Sequence, residues 1–336
     1  MKQVRIGING FGRIGRTFFR LLKSHPHLRV TAINDPADAP TLAHLLKYDS
    51  IHGIYAHPIT QTQSGWELEG QEIALLRESN PSEIPWADYG VDIVLEASGR
   101  FKTRATLENH LRNGAKKVIL SAPPEDESIK MVVYGVNHDS IRADDQLLSN
   151  ASCTTNNAAP MLQVMQRLCG IRQAYITTVH SYTSDQSLHD MPHRDLRRAR
   201  AAALSIVPTT TGAAKALTRI FPDLARVIGG CGIRVPVPNG SLTDITMNVV
   251  RETSIHEIND TFEQASEQEF KNILFYTKDP IVSIDINNSC YSCTFDSQMT
   301  SVIGDMVKIV GWYDNEMGYS SRIIDVINFL INKNYI

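Results

Sequence analysis

The sequence predicts an α/β chain in which a doubly wound parallel-sheet domain is followed by an α+β domain with a mostly antiparallel sheet. Three observations carry this. Short apolar runs alternate with helical patterns up to about residue 150, a glycine-rich run joins the first strand to the first helix, and past Ser149 the apolar runs lengthen and lose their intervening helices. A chain of 336 residues has room for two cores. Hydrophobic residues at 42% and charged residues at 21% are ordinary values for a globular chain, which excludes disordered and fibrous classes.

The elements follow in order. Val4 to Asn9 reads as a strand, Ile14 to Leu22 as a helix, Leu28 to Asn34 as a strand and Leu42 to Lys47 as a helix, which is the spacing of βαβ units. Ile93 to Glu96, Lys117 to Ser121 and Met131 to Val133 are buried-strand candidates, with a helix from about Thr103 to Asn113. Beyond the break near residue 150, Ser152 to Leu168 reads as a helix. The runs Tyr175 to Val179, Ile228 to Val235, Asp244 to Val250 and Met306 to Tyr313 then predict the antiparallel sheet, with helices on one face. Tyr319 to Ile331 has apolar residues at helical spacing and closes the chain.

Composition narrows the function. Against 36 acidic residues stand 33 basic ones, and the net charge of -3 gives no reason to expect a nucleic-acid partner. Arg194, Arg197, Arg198 and Arg200 form a basic run, but four arginines in a nearly neutral chain fit a solvated loop with one phosphate ligand better than a nucleic-acid patch. No stretch of 18 apolar residues and no signal-peptide core is present, so a cytoplasmic protein without membrane attachment is expected. The five cysteines lack the paired spacing of a zinc site, which predicts reduced thiols and no metal.

Two motifs carry chemistry. Gly10, Phe11, Gly12, Arg13, Ile14 and Gly15 make a G-x-G-x-x-G run that follows a strand and opens a helix, where backbone can approach a pyrophosphate at the positive helix end. Asp35 ends the second strand, where a carboxylate accepts hydrogen bonds from a ribose and repels a 2′-phosphate. Taken singly, the glycines also suit a plain turn, and Asp35 suits a turn before Pro36. Together they predict a Rossmann-type domain that binds NAD rather than NADP. The second motif surrounds Cys153. Ser152 is a cap for the helix that begins there, and unpaired amide donors with the helix dipole are expected to lower the pKa of the thiol. His180 ends the apolar strand and is the leading candidate for its base, whereas His189 and His193 read as solvent-exposed loop groups.

The chain resembles the glyceraldehyde-3-phosphate dehydrogenase family over nearly its whole length. The runs that carry the likeness are Ile8 to Arg16, Ser149 to Asn156, Pro192 to Ala203, Pro208 to Lys215, Arg234 to Pro236 and Trp312 to Tyr319. The resemblance implies phosphorylating oxidation of glyceraldehyde 3-phosphate to 1,3-bisphosphoglycerate with NAD, a glycolytic reaction that passes through a hemithioacetal and a thioester on Cys153. It implies a cytoplasmic homotetramer whose NAD-binding domain, residues 1–150, is completed by a C-terminal helix, 316–336, around a catalytic domain, 151–315. Cys153 and His180 would be catalytic. Thr183 and Arg234 would hold the substrate phosphate, while Ser152, Thr154, Thr211 and Gly212 would hold inorganic phosphate, with Arg198 between them. Gly10, Phe11, Gly12, Arg13, Ile14, Asp35, Arg77 and Ser121 would contact the dinucleotide, and Asn315 would orient the nicotinamide amide.

Two positions depart from the family pattern. Asn157 stands where a second cysteine is usual, one helical turn after Cys153, and Met317 stands where tryptophan is usual. Three other readings compete: an erythrose-4-phosphate dehydrogenase, an arsenate-using relative, and a non-catalytic NAD-binding redox sensor. Intact Thr183, Thr211 and Gly212 argue against the first, and Cys153 with His180 against the last.

Overall fold

The structure is a computed structural model that describes residues 3–336; residues 1 and 2, with which the NAD-binding domain is expected to open, lie outside the described residues. The chain divides into two compact units. The first holds the residues up to Tyr134, His138–Ala151 and Ser320–Ile336, and the second holds Gly135–Asn137 and Ser152–Tyr319.

The first unit is built on a nine-stranded sheet. Its strands are β1 (Val4–Asn9), β2 (Leu28–Asn34), β3 (Thr60–Gln61), β4 (Gly65–Leu68), β5 (Gln71–Leu76), β6 (Ile93–Glu96), β7 (Lys117–Leu120), β8 (Lys130–Met131) and β9 (Leu147–Ser149). They lie in the order β8-β9-β7-β6-β1-β2-β5-β4-β3. All pairings from β8 to β5 are parallel, and only the β5-β4-β3 arm is antiparallel. The central strands read as unbroken apolar runs because both faces are covered; every residue of β6 and β7 is buried. Ile84, Trp86, Val94, Leu107 and Val118 share one core cluster. Each large apolar side chain enclosed in this way contributes roughly 1.5–3 kcal/mol.

Local chemistry sets the helix starts. Asp38 caps α2 (Ala39–Lys47) by accepting from Thr41 N–H, and Thr103 caps α3 (Arg104–Arg112) through Thr106 N–H. Helix α1 (Arg13–Leu21) begins at the glycine run and buries Phe18 and Phe19. Because β2 lies on one side of β1 and β6 on the other, the carboxyl ends of β1 and β6 form a topological switch point, where such sheets open a crevice.

The second unit carries an eight-stranded sheet. Its strands are β10 (Ile171–Ser181), β11 (Val207–Thr209), β12 (Ile228–Val235), β13 (Ser241–Val249), β14 (Leu274–Thr277), β15 (Cys293–Asp296), β16 (Ser301–Ile303) and β17 (Met306–Tyr313). Their order is β11-β12-β10-β13-β17-β15-β14, with β16 alongside β17. Most pairings are antiparallel, as the long runs predict, but β10 pairs β12 and β14 pairs β15 in parallel. Burial alternates along β13, so one face packs on a core and the other is half-exposed. The helices are α4 (Cys153–Leu168), α5 (Ala213–Ile220) and α6 (Ile255–Glu267); α7 (Met317–Asn332) closes the chain.

Two expectations change. The strand expected at Met131 to Val133 shrinks to Lys130–Met131. The β3 to β5 arm has no counterpart in the sequence reading, because its strands of two, four and six residues are too short to show a clear period. Gly65 is required there: a Cβ on it would lie 2.1 Å from the Ile73 carbonyl oxygen.

Candidate active site

In the first unit the turn after β1 forms one wall of a cleft of about 190 Å³ lined by Asn9, Gly10, Gly12, Asp35 and Ser98 among others. Gly10 has φ +91°, and a Cβ on it would meet the Ser98 backbone at 2.5 Å, so no other residue fits without displacing the wall. Beside Gly12 the corresponding space is open, with nothing within 4 Å. Backbone there can approach a ligand closely, next to the unpaired donors of the α1 start. Phe11 is buried and packs edge-on against Phe19 and Trp66, anchoring the turn.

Asp35 shapes the turn and also lines the cleft. Its Oδ2 accepts Phe11 N–H at 2.8 Å and its Oδ1 accepts Ala37 N–H at 3.0 Å, while the residue also lines the cleft. A carboxylate has about four lone-pair sites, so two remain for ribose hydroxyls. Arg13 turns its guanidinium to Asp49, leaving its backbone as the part directed by the helix start. Arg77 rests on the carbonyl of Pro36, a residue of the cleft wall. Ile14 is half-buried in the first turn of α1, and Ser121 donates its N–H to Glu96 O at 2.9 Å.

In the second unit Cys153 is the first residue of α4, whose cap is Ser152: the Ser152 hydroxyl accepts Thr155 N–H at 3.1 Å. The Cys153 sulfur lies 3.4 Å from Nε2 of His180, which stands near the end of β10. The other imidazole nitrogen, Nδ1, is 2.7 Å from the Ser181 carbonyl oxygen and 2.6 Å from a guanidinium nitrogen of Arg234. A proton on Nδ1 bonds the carbonyl and frees Nε2 to accept from the thiol. A proton on Nε2 lets Nδ1 accept from Arg234 and points a donor at the sulfur. The pair is therefore arranged to pass one proton between sulfur and imidazole.

Its electrostatics correct one expectation. Burial pushes the Cys153 thiol up rather than down, opposed by the Arg234 charge and by hydrogen bonds from Thr154 and from Cys153's own N–H. The helix start acts in the expected direction but is outweighed by desolvation. Burial, then the charges of Arg234 and Arg198, lower the His180 pKa to about 3. In this state both partners are neutral.

The unit also carries groups suited to anions, of which Arg234 touches the imidazole and Arg198 acts on it through its charge. Arg234 lies on β12, and Arg198 is held by Asp185, by Thr209 Oγ1 at 3.0 Å and by the Thr210 carbonyl at 3.4 Å. Thr211 accepts Ala213 N–H at 3.2 Å, and Gly212 caps α5 with open space beside it. Thr183 is half-buried just past β10. Thr154 is buried, and its hydroxyl bonds Tyr313 OH at 2.9 Å. Asn315 has its Oδ1 fixed by the hydroxyls of Ser181 and Ser241, both at 2.9 Å, which orients its amide nitrogen.

Comparison with known proteins identifies the family. Residues 4–104 match the family model for the NAD binding domain of glyceraldehyde 3-phosphate dehydrogenase, and residues 152–315 match the model for its C-terminal domain. The chain belongs to the glyceraldehyde-3-phosphate dehydrogenase family. Among its relatives, the glyceraldehyde-3-phosphate dehydrogenase of Streptomyces coelicolor is 50% identical over 334 residues, covering 98% of this chain and 99% of the relative. That of Geobacillus stearothermophilus is 48% identical over 332 residues with the same coverage, and glyceraldehyde-3-phosphate dehydrogenase 1 of Bacillus cereus is 46% identical over 331.

Within this family member, several site residues escape a sequence reading. Tyr313 bridges the hydroxyls of Thr154 and Thr178, each at 2.9 Å, and lies edge-on to His180. Asp185 holds Arg198 and approaches His193. His193 is accordingly half-buried and accepts Asp195 N–H at 2.9 Å, contrary to its reading as a solvated group, while His189 is exposed as expected. Asn157, in the place of the usual second cysteine, donates to the carbonyls of Ser292 and Trp312 at 3.3 and 3.2 Å. Met317 takes the place of the usual tryptophan, buried at the start of α7, with its N–H bonded to Asp314.

Proposed function

We propose that this chain oxidises glyceraldehyde 3-phosphate to 1,3-bisphosphoglycerate with NAD and inorganic phosphate, the glycolytic reaction, with Cys153 as nucleophile. The observation that carries this reading is the 3.4 Å approach of the Cys153 sulfur to His180 Nε2 at the start of a capped helix, with Arg234 on the far side of the imidazole.

The chemistry of the residues is then as follows. His180 takes the Cys153 proton at Nε2 as the sulfur bonds to the aldehyde carbon, and the Cys153 N–H and the imidazolium stabilise the oxyanion. Arg234 and Thr183 hold the substrate phosphate. That anion offsets the positive field that keeps His180 weakly basic, so the base strengthens when substrate is in place. Gly10, Gly12 and Asp35 form a cleft that would hold NAD, which when bound would supply the hydride acceptor for oxidation of that carbon to the Cys153 thioester. His180, having returned the thiol proton to the oxyanion to form the hemithioacetal hydroxyl, takes that proton again as the hydride leaves. Ser152, Thr154, Thr211, Gly212 and Arg198 hold inorganic phosphate for attack on the thioester carbonyl. The C–S bond breaks, the acyl phosphate leaves and the departing thiolate takes back the proton held on His180. Arginine forks, hydroxyls and helix-start amides suit the phosphate oxygens at both positions.

Dinucleotide contacts are assigned to Gly10, Phe11, Gly12, Arg13, Ile14, Asp35, Arg77 and Ser121, and orientation of the nicotinamide amide to Asn315. The proposed assembly is a homotetramer, consistent with exposed Leu188, Leu196, Leu204 and Ile206 on the second unit, and sedimentation measures it directly. A cytoplasmic setting is in keeping with free thiols at all five cysteines. Among the described residues no helix is long and apolar enough to cross a membrane.

The test is NAD reduction with glyceraldehyde 3-phosphate in the presence and absence of inorganic phosphate, with erythrose 4-phosphate and arsenate as comparison arms. Sustained turnover that needs phosphate or arsenate and prefers the three-carbon aldehyde supports the reading. Equal turnover with neither anion present overturns it.

A further inference from the structure

The mechanism leaves one buried acid-base pair unused. Glu96, at the end of β6, and His110, on α3, are both 0% exposed, and His110 Nε2 lies 3.1 Å from Glu96 Oε2. On its other side His110 Nδ1 is 2.9 Å from the indole nitrogen of Trp86. An indole N–H can only donate, so Nδ1 holds the lone pair and Nε2 the proton. Trp86 thus fixes the tautomer that aims an N–H at the carboxylate.

The carboxylate in turn holds both walls of the cofactor cleft. Its Oε2 also accepts from Asn9 Nδ2 at 2.5 Å, and its Oε1 accepts from the N–H of Ser98 at 2.8 Å and from the Ser98 hydroxyl at 2.5 Å. Asn9 and Ser98 line the cleft, from the ends of β1 and β6. Asn9 passes the constraint on: its Oδ1 accepts from Asn34 Nδ2 at 2.8 Å, and Asn34 Oδ1 accepts Glu78 N–H at 2.8 Å. Ser98 has no slack either, because its backbone already touches the space a Cβ on Gly10 would need. An apolar pair could fill the volume of Glu96 and His110 without desolvating a carboxylate. What the polar chain adds is direction, and it ends at the cleft.

We propose that His110 is a positioning residue for the cofactor: by aiming Glu96 it holds Asn9 and Ser98 at the spacing that fits NAD. This rests on the reading of the cleft as the NAD site. The role parallels that of groups behind a metal ligand, which contact no ligand themselves but fix those that do.

The test compares His110→Phe, which fills the space and removes both hydrogen bonds, with His110→Gln, which keeps an acceptor for Trp86 and a donor for Glu96. NAD dissociation constants are read by calorimetry, together with KM for NAD, KM for the aldehyde, kcat at saturating NAD and the rate of Cys153 alkylation by iodoacetamide. The Phe variant is expected to weaken NAD binding and raise its KM about tenfold, the loss of one charge-assisted contact. The other three quantities should stay within about twofold, and the Gln variant should recover most of the affinity. If the Phe variant does not fold, Trp86→Phe, which removes the indole donor and part of the ring but leaves His110 and Glu96 in place, is expected to weaken NAD binding about threefold. NAD affinity within about twofold of the parent in the folded Phe variant, or in the Trp86 variant where it takes its place, overturns the proposal. So does an equal loss in the Gln and Phe variants, or a fall in kcat matching the loss of affinity. A parent chain that itself fails to bind NAD overturns the reading of the cleft and the proposal together, whereas a parent that binds while the variants are indifferent overturns the proposal alone.

Discussion

A guanidinium nitrogen of Arg234 lies 2.6 Å from Nδ1 of His180, on the side of the imidazole away from Cys153, and also donates to the Ser181 carbonyl at 2.9 Å. One cation thus acts on both members of the proton-transfer pair, with opposite results. It favours the thiolate of Cys153 and disfavours the imidazolium of His180. An anion bound by Arg234 would offset both effects, and in the proposed reaction the substrate phosphate is that anion.

Replacing Arg234 with Leu therefore separates the two roles. Iodoacetamide alkylation of Cys153 in the free enzyme should move to higher pH, because the charge that favours the thiolate is gone. KM for the aldehyde should rise roughly 10- to 100-fold, the range for a lost hydrogen-bonded charge contact. An alkylation profile unmoved or shifted to lower pH would contradict the assignment.

His180 also predicts a stability difference with a defined sign. Its folded pKa of about 3 lies below the ordinary histidine value of 6.5, so the unfolded chain binds the proton more readily. The stability that the neutral buried imidazole contributes is present above pH 6.5 and is lost as pH falls toward 3. A His180→Asn variant lacks this term, so the stability gap between variant and parent should shift in the variant's favour across that window. Urea titrations at several pH values measure it, and a gap independent of pH would refute it.

At Asn157 the consequence is structural. Its amide is the link between the carbonyls of Ser292 and Trp312, a tie that a cysteine could not make. Asn157→Ala should lower stability by about 1–3 kcal/mol while leaving kcat near the parent value. Thermal unfolding and steady-state kinetics on the same preparation test both halves, and a large fall in kcat without loss of stability would place Asn157 in the chemistry instead.

Gly10→Ala should abolish NAD binding and destabilise the first unit. The added Cβ meets backbone at 2.5 Å, and the φ of +91° is unfavourable for any side chain. Retained NAD affinity by calorimetry would show that the cleft does not depend on this turn.

The sequence made legible what depends on near neighbours. The β1–α1 glycine turn, Asp35 at the end of β2 and Cys153 behind the Ser152 cap are local patterns with local causes, and the structure has them where they were expected. Tyr313 was invisible because its meaning comes from Thr154 and Thr178, which are far from it in the chain. The Trp86, His110 and Glu96 chain was hidden for the same reason: three ordinary-looking residues on three elements acquire a role only when the sheet and α3 bring them together. Periodicity also failed for the β3 to β5 arm, whose strands of two, four and six residues are too short to show a clear period. The fall expected for the Cys153 pKa weighed the helix dipole without the desolvation that only packing reveals.

In the proposed reaction, oxidation proceeds through a thioester on Cys153 that waits for phosphate. Rapid mixing of the NAD-loaded enzyme with glyceraldehyde 3-phosphate in the absence of phosphate and arsenate tests it most directly. The account predicts a burst of NADH equivalent to about one turnover per chain, then a stall relieved by added phosphate, with no burst from Cys153→Ala. Continuous turnover without phosphate, or a burst of parental size from the alanine variant, would contradict it.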